Sequence, residues 1–217
     1  MKGGSSEQAQ RKLLCELLRL FYEKGWVSGT GGGICAILGK HKVLMAPTGV
    51  HKEQVTPQGL FVVDPWNGDV IRSPRNRLLK LSECSPIFCT LINRRGAGSV
   101  MHSHALSAVL AADLAGTSDH AVFEGLEMLK GIRGCSNLDK HPVPVIHNTS
   151  REPDLIGQIN DVITRTDFAR SYAILVRDHG AYIWGENVWE SKRHAEIYHF
   201  LFEATVARAQ YRLKGGN

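Results

Sequence analysis

The chain has 217 residues, of which 43% are hydrophobic and 22% are charged, and this balance excludes an intrinsically disordered polypeptide. The length is enough for one substantial core, so we expect one domain over residues 1–217, with residues 1–10 as a flexible N-terminus. No apolar run approaches the roughly 18 residues of a membrane span, and residues 1–11 are polar. We therefore expect neither a membrane helix nor a secretory signal.

The net charge of +5 suits either nucleic acid or a phosphorylated metabolite, because both are anionic. The basic residues are scattered, and their densest group, within residues 72–80, has no interleaved aromatic residue. We therefore predict no nucleic-acid partner. Five cysteines form no Cys-x-x-Cys pair, which favours a reduced, cytoplasmic protein over a disulfide framework or a zinc knuckle.

The first half of the chain alternates helical and strand patterns. Leucines at helical spacing over residues 11–24 predict an amphipathic helix that stops at Gly25. Apolar runs predict two hairpins, one from 34–38 and 42–46 and one from 60–64 and 70–71. Ser85 followed by Pro86 predicts the start of a helix that runs to about residue 95, followed by a strand over 99–104 and a helix over 105–115.

The second half contains two further apolar runs, and we expect buried strands at 143–146 and 173–176 with a helix over 153–169 between them. The last helix is expected to begin after Asn187, in capping-box spacing with Glu190, and to end near residue 213. Helices and strands do not alternate regularly, and several strand pairs are hairpins. The sequence therefore predicts an α/β (α+β-like) fold with a mainly antiparallel sheet flanked by helices on both faces.

A pair of histidines is the sharpest chemical feature. His102 and His104 lie two residues apart at the end of the predicted strand, and residues at this spacing share one face of a strand. Two such imidazoles form half of a zinc or similar divalent metal site, and a catalytic site needs a third protein ligand. His179 directly follows the strand 173–176 and precedes Gly180, which makes it the candidate. The alternative is a set of surface or hydrogen-bonded histidines.

Glycine-rich turns form the second chemical feature. Residues 29–33 and 46–49 predict backbone N–H groups that are free to point at an anion. Neither turn fits the dinucleotide fingerprint or the Walker loop, so nucleotide binding is not implied. Lys52 could add a positive charge to a phosphate site. The alternative is that both turns are purely structural.

Taken together, these features resemble the class II aldolase/adducin family, and in particular its sugar-phosphate dehydratases. The resemblance covers nearly the whole chain and is carried by segments 25–33, 46–53, 95–104, 127–132 and 179–185. It implies a zinc-dependent hydro-lyase of methionine salvage that converts 5-methylthioribulose 1-phosphate to 2,3-diketo-5-methylthiopentyl 1-phosphate. It also implies a cytoplasmic homo-oligomer, with four subunits expected.

The resemblance also assigns roles to residues. It places the metal on His102, His104 and His179, and it makes Glu127, in Glu-Met-Leu-Lys-Gly, the acid/base. Ser82 and Cys84 are expected beside the substrate, while the other cysteines are expected to pack in the core. The residues expected to hold the phosphate are Gly32, Gly33, Thr48, Gly49, Lys52 and Ser82.

Three alternatives concern the reaction and its acid/base. Related aldolases carry a catalytic Glu in a Ser-Ser-Glu segment, and Glu83 lies close to that position, so an aldolase or epimerase of sugar phosphates is the nearest rival. Glu124 competes with Glu127 for the acid/base role. A non-catalytic, adducin-like interaction module is the third alternative, and the presence of all three histidines together with Glu127 speaks against it.

Overall fold

The computed structural model describes residues 6–215. The first helix, α1, spans Glu7–Glu23 and is capped by Ser6, whose hydroxyl oxygen accepts the N–H of Ala9. It therefore begins before the predicted residue 11, and residues 7–10 are helical rather than a tail. Arg11 explains the early start, because its guanidinium bonds the Glu7 carboxylate and the carbonyl of Leu60. Residues 1–5 lie outside the described residues.

Nine strands form one sheet, in the order β5-β4-β2-β1-β7-β11-β10-β9-β8. Every neighbouring pair is antiparallel except β9 and β10, which are parallel. This confirms the mainly antiparallel sheet. The strands are β1 (Gly33–Ile37), β2 (Val43–Met45), β4 (Phe61–Val63), β5 (Val70–Arg72), β7 (Ser99–Ser103), β8 (His120–Phe123), β9 (His141–Ile146), β10 (Ala173–Val176) and β11 (Gly180–Gly185), with β3 (Pro47–Thr48) and β6 (Lys80–Leu81) paired separately.

Helices cover both faces of the sheet, as predicted. The other four are α2 (Ser85–Arg95), α3 (Leu106–Leu114), α4 (Ile156–Ile163) and α5 (Val188–Leu213). One apolar cluster joins the sheet to α1, α3 and α5 and includes Met101, whereas a second joins it to α2 and α4 and includes Val100. Adjacent residues of β7 thus enter opposite cores, as the alternation of a strand requires. Within residues 6–215, no helix has the length and apolar character needed to cross a bilayer.

The predicted helix over 153–169 is broken. The structure has a 3₁₀ turn at Glu152–Leu155, then α4, then a second 3₁₀ turn at Thr166–Phe168. Arg95 stabilises the break, because its guanidinium bonds the carbonyl of Ile163, a group that a continuous helix would bond internally. The last helix matches its prediction, and the Asn187 side chain accepts the Glu190 N–H.

Candidate metal centre

Strand pairing brings the three predicted ligand histidines together. β7 carries His102 and leads into His104, and β11 pairs with β7 so that Tyr182 faces His102. His179 lies in the tight turn that joins β10 to β11. This turn approaches β7 so closely that a Cβ on Gly180 would lie 1.9 Å from the carbonyl oxygen of Ser103. Only glycine fits there, and His179 is thereby held beside two residues that lie more than 70 positions earlier in the chain.

The three Nε2 atoms form a compact triangle. His102 lies 2.8 Å from His104 and 3.1 Å from His179, and the third side, from His179 to His104, is 3.2 Å. Zinc–imidazole bonds of roughly 2.0–2.1 Å in a tetrahedron place ligand nitrogens about 3.4 Å apart. The triangle therefore has nearly the size that three imidazoles adopt around one ion.

Hydrogen bonds of the Nδ1 atoms of His102 and His179 determine that their Nε2 lone pairs face the other histidines. His102 Nδ1 lies 3.2 Å from the Ala181 carbonyl, and His179 Nδ1 lies 3.0 Å from Asn148 Oδ1, which also accepts the Thr149 N–H. Both partners are acceptors, so each Nδ1 donates and each Nε2 presents a lone pair. Two lone pairs facing each other at 3.1 Å repel, and a cation between them removes that repulsion. The residues therefore fit a divalent metal.

Burial keeps His102 and His104 neutral, as metal ligands must be. His102 is fully buried, and burial lowers its pKa. The pKa of His104 is lowered to about 3, first by burial and then by the proximity of the other two imidazoles. The His102 ring also stacks on Tyr182, with centroids 4.1 Å apart and an interplanar angle of 5°, which fixes its plane.

A fourth side chain in the cluster, Glu152, was missed by the sequence reasoning. Its Oε1 lies 3.3 Å from His102 Nε2 and 3.7 Å from His179 Nε2, and its Oε2 lies 2.7 Å from Cys84 Sγ. Burial acts to raise the pKa of Glu152, but its contacts with His102 and His179 hold that pKa well below its usual range. Burial and the nearby carboxylate raise the pKa of Cys84, so the pair is a thiol and a carboxylate. Cys84 therefore lies beside the histidine cluster, and its contact with substrate stays a prediction.

The predicted phosphate-binding residues lie around the same segments. Lys52 is only 2% exposed, and its ammonium donates to the carbonyls of Thr30 and Val50, so it connects the two glycine turns. Burial lowers its pKa. Thr48 pairs with Lys80 of β6, and Ser82 follows that strand. Phosphate binding by these residues stays a prediction.

The glycine turn at 29–33 leaves room for the ligand histidines. A Cβ on Gly31 would lie 2.5 Å from His104 Nδ1, and one on Gly32 would lie 2.8 Å from the His102 carbonyl oxygen. Gly33 pairs with His102 in the β1–β7 register. The absence of side chains is therefore needed for packing at this turn, whether or not its N–H groups and those of Gly49 also contact phosphate.

Glu127 lies apart from the histidines of its own chain. It begins a 3₁₀ turn, its side chain is 72% exposed, and its carboxylate pairs with Lys130 at 2.6 Å. Leu129 of this turn packs in the cluster beneath α1, α3 and α5, whereas Cys84 belongs to the cluster on the opposite face of the sheet. The acid/base role of Glu127 therefore stays a prediction.

The two alternative acid/base residues are also outside the cluster. Glu83 is exposed, while its neighbour Cys84 is buried against Glu152. Glu124 is exposed and lies 3.8 Å from the Lys140 ammonium. Within the described residues, neither carboxylate contacts a ligand histidine.

Comparison with known proteins agrees with this geometry. The sequence profile of the Class II Aldolase and Adducin N-terminal domain matches residues 12–206. Methylthioribulose-1-phosphate dehydratase of Gallus gallus is 39% identical, over 97% of this chain and 89% of the relative. The Danio rerio protein of the same name is 40% identical, over 96% and 88%.

Solved structures share the fold at low sequence identity. YgbL from Escherichia coli is 20% identical with a TM-score of 0.76, over 91% of this chain and 88% of that one. The L-fuculose-1-phosphate aldolase of Thermus thermophilus is 19% identical with a TM-score of 0.67, over 97% and 100%. With a histidine triad of this geometry and relatives of this similarity, the chain belongs to the class II aldolase and adducin family and, within it, to the methylthioribulose-1-phosphate dehydratases.

Proposed function

We propose that the protein is a zinc-dependent hydro-lyase that converts 5-methylthioribulose 1-phosphate to 2,3-diketo-5-methylthiopentyl 1-phosphate in methionine salvage. The observation that carries the proposal is the triangle of three imidazole nitrogens, with sides of 2.8, 3.1 and 3.2 Å. Three nitrogen ligands with one position open are typical of catalytic zinc. The choice of substrate in this proposal rests on the names of the relatives and on their similarity to this chain.

The reaction removes the C3 proton and the C4 hydroxyl, and the resulting enol becomes the 2,3-diketone. A divalent ion held by the histidines would draw electron density from the C2 carbonyl and C3 hydroxyl oxygens, which makes the C3 proton more acidic. Glu127 would carry the proton to the departing hydroxyl, so that water leaves. The groups around Lys52, Thr48 and Ser82 would bind the phosphate and fix the sugar's position.

The placement of Glu127 makes oligomerisation part of the proposal. Its carboxylate is exposed on the face of the sheet opposite Cys84 and Glu152. We therefore assign the acid/base to Glu127 of a neighbouring subunit in a homo-oligomer, with a tetramer expected. A reducing, cytoplasmic location accords with the absence of disulfides among the five cysteines.

Subunit complementation tests this arrangement. His102→Ala is expected to lose zinc and turnover, whereas Glu127→Gln is expected to keep zinc and lose turnover. When the two variants are unfolded, mixed and refolded together, about a quarter of the sites in random oligomers combine intact histidines with an intact neighbouring Glu127. Activity should reappear to about that level. Zinc-replete Glu127→Gln with a near-normal rate would contradict the acid/base role, and an inactive mixture would contradict the shared site.

An aldolase on the same fold is separated by its products. The zinc-loaded protein is incubated in parallel with 5-methylthioribulose 1-phosphate and with L-fuculose 1-phosphate, the substrate named for one of the structural neighbours. A diketone from the first sugar supports the dehydratase, while an aldehyde from the second supports the aldolase. Absence of both products, with zinc bound, would favour a non-catalytic module.

A further inference from the structure

The Glu152 carboxylate has an interaction with the histidines that hydrogen bonding does not explain. His102 and His179 each donate their Nδ1 proton to an oxygen, so their Nε2 atoms are acceptors. A carboxylate oxygen is also an acceptor. Glu152 Oε1 nevertheless lies 3.3 Å and 3.7 Å from these two nitrogens. Three acceptors therefore lie close together around one point.

The spacing matches the edges of a coordination polyhedron. Ligand atoms roughly 2.0–2.2 Å from zinc in a tetrahedron lie about 3.3–3.5 Å apart. The distance from Glu152 Oε1 to His102 Nε2 falls in that range, and all four ligand atoms lie within 4.8 Å of one another. One carboxylate with three neutral imidazoles is a normal donor set for a divalent ion such as zinc.

The second carboxylate oxygen is held by the protein. Glu152 Oε2 accepts the Cys84 thiol at 2.7 Å, and Cys84 lies at the start of α2, where it is 3% exposed. Glu152 itself begins a 3₁₀ turn that packs against α2, and its side chain is 18% exposed. A carboxylate oriented through its outer oxygen in this way is the arrangement found behind many metal ligands.

We propose that Glu152 is a fourth protein ligand of the divalent ion in the substrate-free enzyme, with Cys84 as the positioning residue that orients its carboxylate. This inference rests on the proposed metal site but adds a ligand from a segment in which no sequence motif suggested one. The thiol acts through the carboxylate and does not itself bind the ion. Substrate oxygens must then either displace Glu152 or expand the coordination beyond four.

Metal affinity and the visible spectrum of the cobalt-substituted protein test the proposal without an activity measurement. Zn²⁺ affinity is measured by competition with a chelator for wild type, Glu152→Gln, Cys84→Ala and His104→Ala. Asp154→Asn is the matched control, because it removes an exposed carboxylate two residues away in the same turn. We expect Glu152→Gln to bind Zn²⁺ at least about tenfold more weakly than wild type. In the cobalt-substituted variant, the absorption bands should change in position and intensity. Cys84→Ala should show a smaller loss, and Asp154→Asn should match wild type.

The results distinguish the proposal of Glu152 as a fourth ligand from the three-histidine metal site on which it rests. If Glu152→Gln matches wild type in affinity and spectrum while His104→Ala loses the metal, the three-histidine site stands and the fourth ligand is refuted. A sulfur-to-cobalt charge-transfer band that disappears in Cys84→Ala would also refute it, because the thiol would then be the ligand. Failure of wild type to bind either metal would overturn both proposals.

Discussion

Asn148 offers a clean test of how the protein orients a metal ligand. Its side-chain oxygen accepts the Nδ1 proton of His179 at 3.0 Å, and this bond directs the Nε2 lone pair of that ring towards the other two histidines. Asn148 is exposed and lies in the loop after β9. Asn148→Ala should therefore weaken the metal site without weakening the fold.

The size of the effect follows from the geometry. Loss of an outer partner of a ligating histidine costs about 10- to 100-fold in metal affinity, or about 1.4–2.7 kcal/mol. Because the site of Asn148 is open to solvent, water can partly replace the amide, so we expect a value near 10-fold. Asn148→Asp should act in the opposite direction, since a carboxylate is the stronger acceptor and makes the ligand more basic. The free energy of unfolding of the metal-free variants should change by less than about 0.5 kcal/mol.

Chelator competition for Zn²⁺, together with urea unfolding of the metal-free proteins, measures both quantities. Asn160→Ala is the control, because it removes an asparagine that bonds Arg94 at the surface and does not contact the histidines. The reasoning fails if Asn148→Ala retains wild-type zinc affinity, or if alanine and aspartate change it in the same direction.

Two further predictions concern stability. Gly180→Ala places a Cβ 1.9 Å from the Ser103 carbonyl at a φ of +153°, so we expect a loss of at least about 3 kcal/mol in the free energy of unfolding and of zinc binding. Gly157→Ala, in α4 with open space around it, should instead be neutral or stabilising by up to about 1 kcal/mol, and equal effects in urea unfolding would contradict the geometry. Burial lowers the pKa of His199 to about 4 from an ordinary 6.5, so the unfolded chain takes up a proton as the pH falls below 6.5 while the native chain does not. Metal-free protein should therefore lose up to about 3 kcal/mol from this residue between pH 6.5 and 4, and a pH dependence of unfolding that is unchanged in His199→Gln would refute the assignment.

The sequence was sufficient to predict the histidine cluster because local rules govern two of its members. Spacing on a strand puts His102 and His104 on one side, and the glycine after His179 predicts a close approach of the backbone at the end of the preceding strand. The hairpins, the mainly antiparallel sheet and the capped last helix follow from the same short-range patterns. Each of these features depends on residues fewer than about ten positions apart.

The features that the sequence did not predict depend on distant contacts. Glu152 lies near the histidines because of the course that the chain takes after β9. No spacing rule connects it to residues 84, 102 or 179. The break after α4 is stabilised by Arg95, which lies more than 60 positions earlier. The position of Glu127 across the sheet from the histidines likewise emerges only when both cores are seen.

Ser103, the residue between His102 and His104, connects the metal site to the core through hydrogen bonds. Ser103 donates to His199 Nε2 at 2.7 Å and accepts the Ala105 N–H, and His199 donates its Nδ1 proton to the Ala195 carbonyl of α5. The His199 ring stacks on Trp26, whose carbonyl accepts the His104 N–H. Each donor and acceptor in these contacts has a single assignment. The end of β7 is therefore held in place by contacts on the α5 side of the sheet. The ligand geometry on one face of the sheet is therefore set by packing on the other, which allows a three-histidine site to be preorganised by residues that never touch the metal.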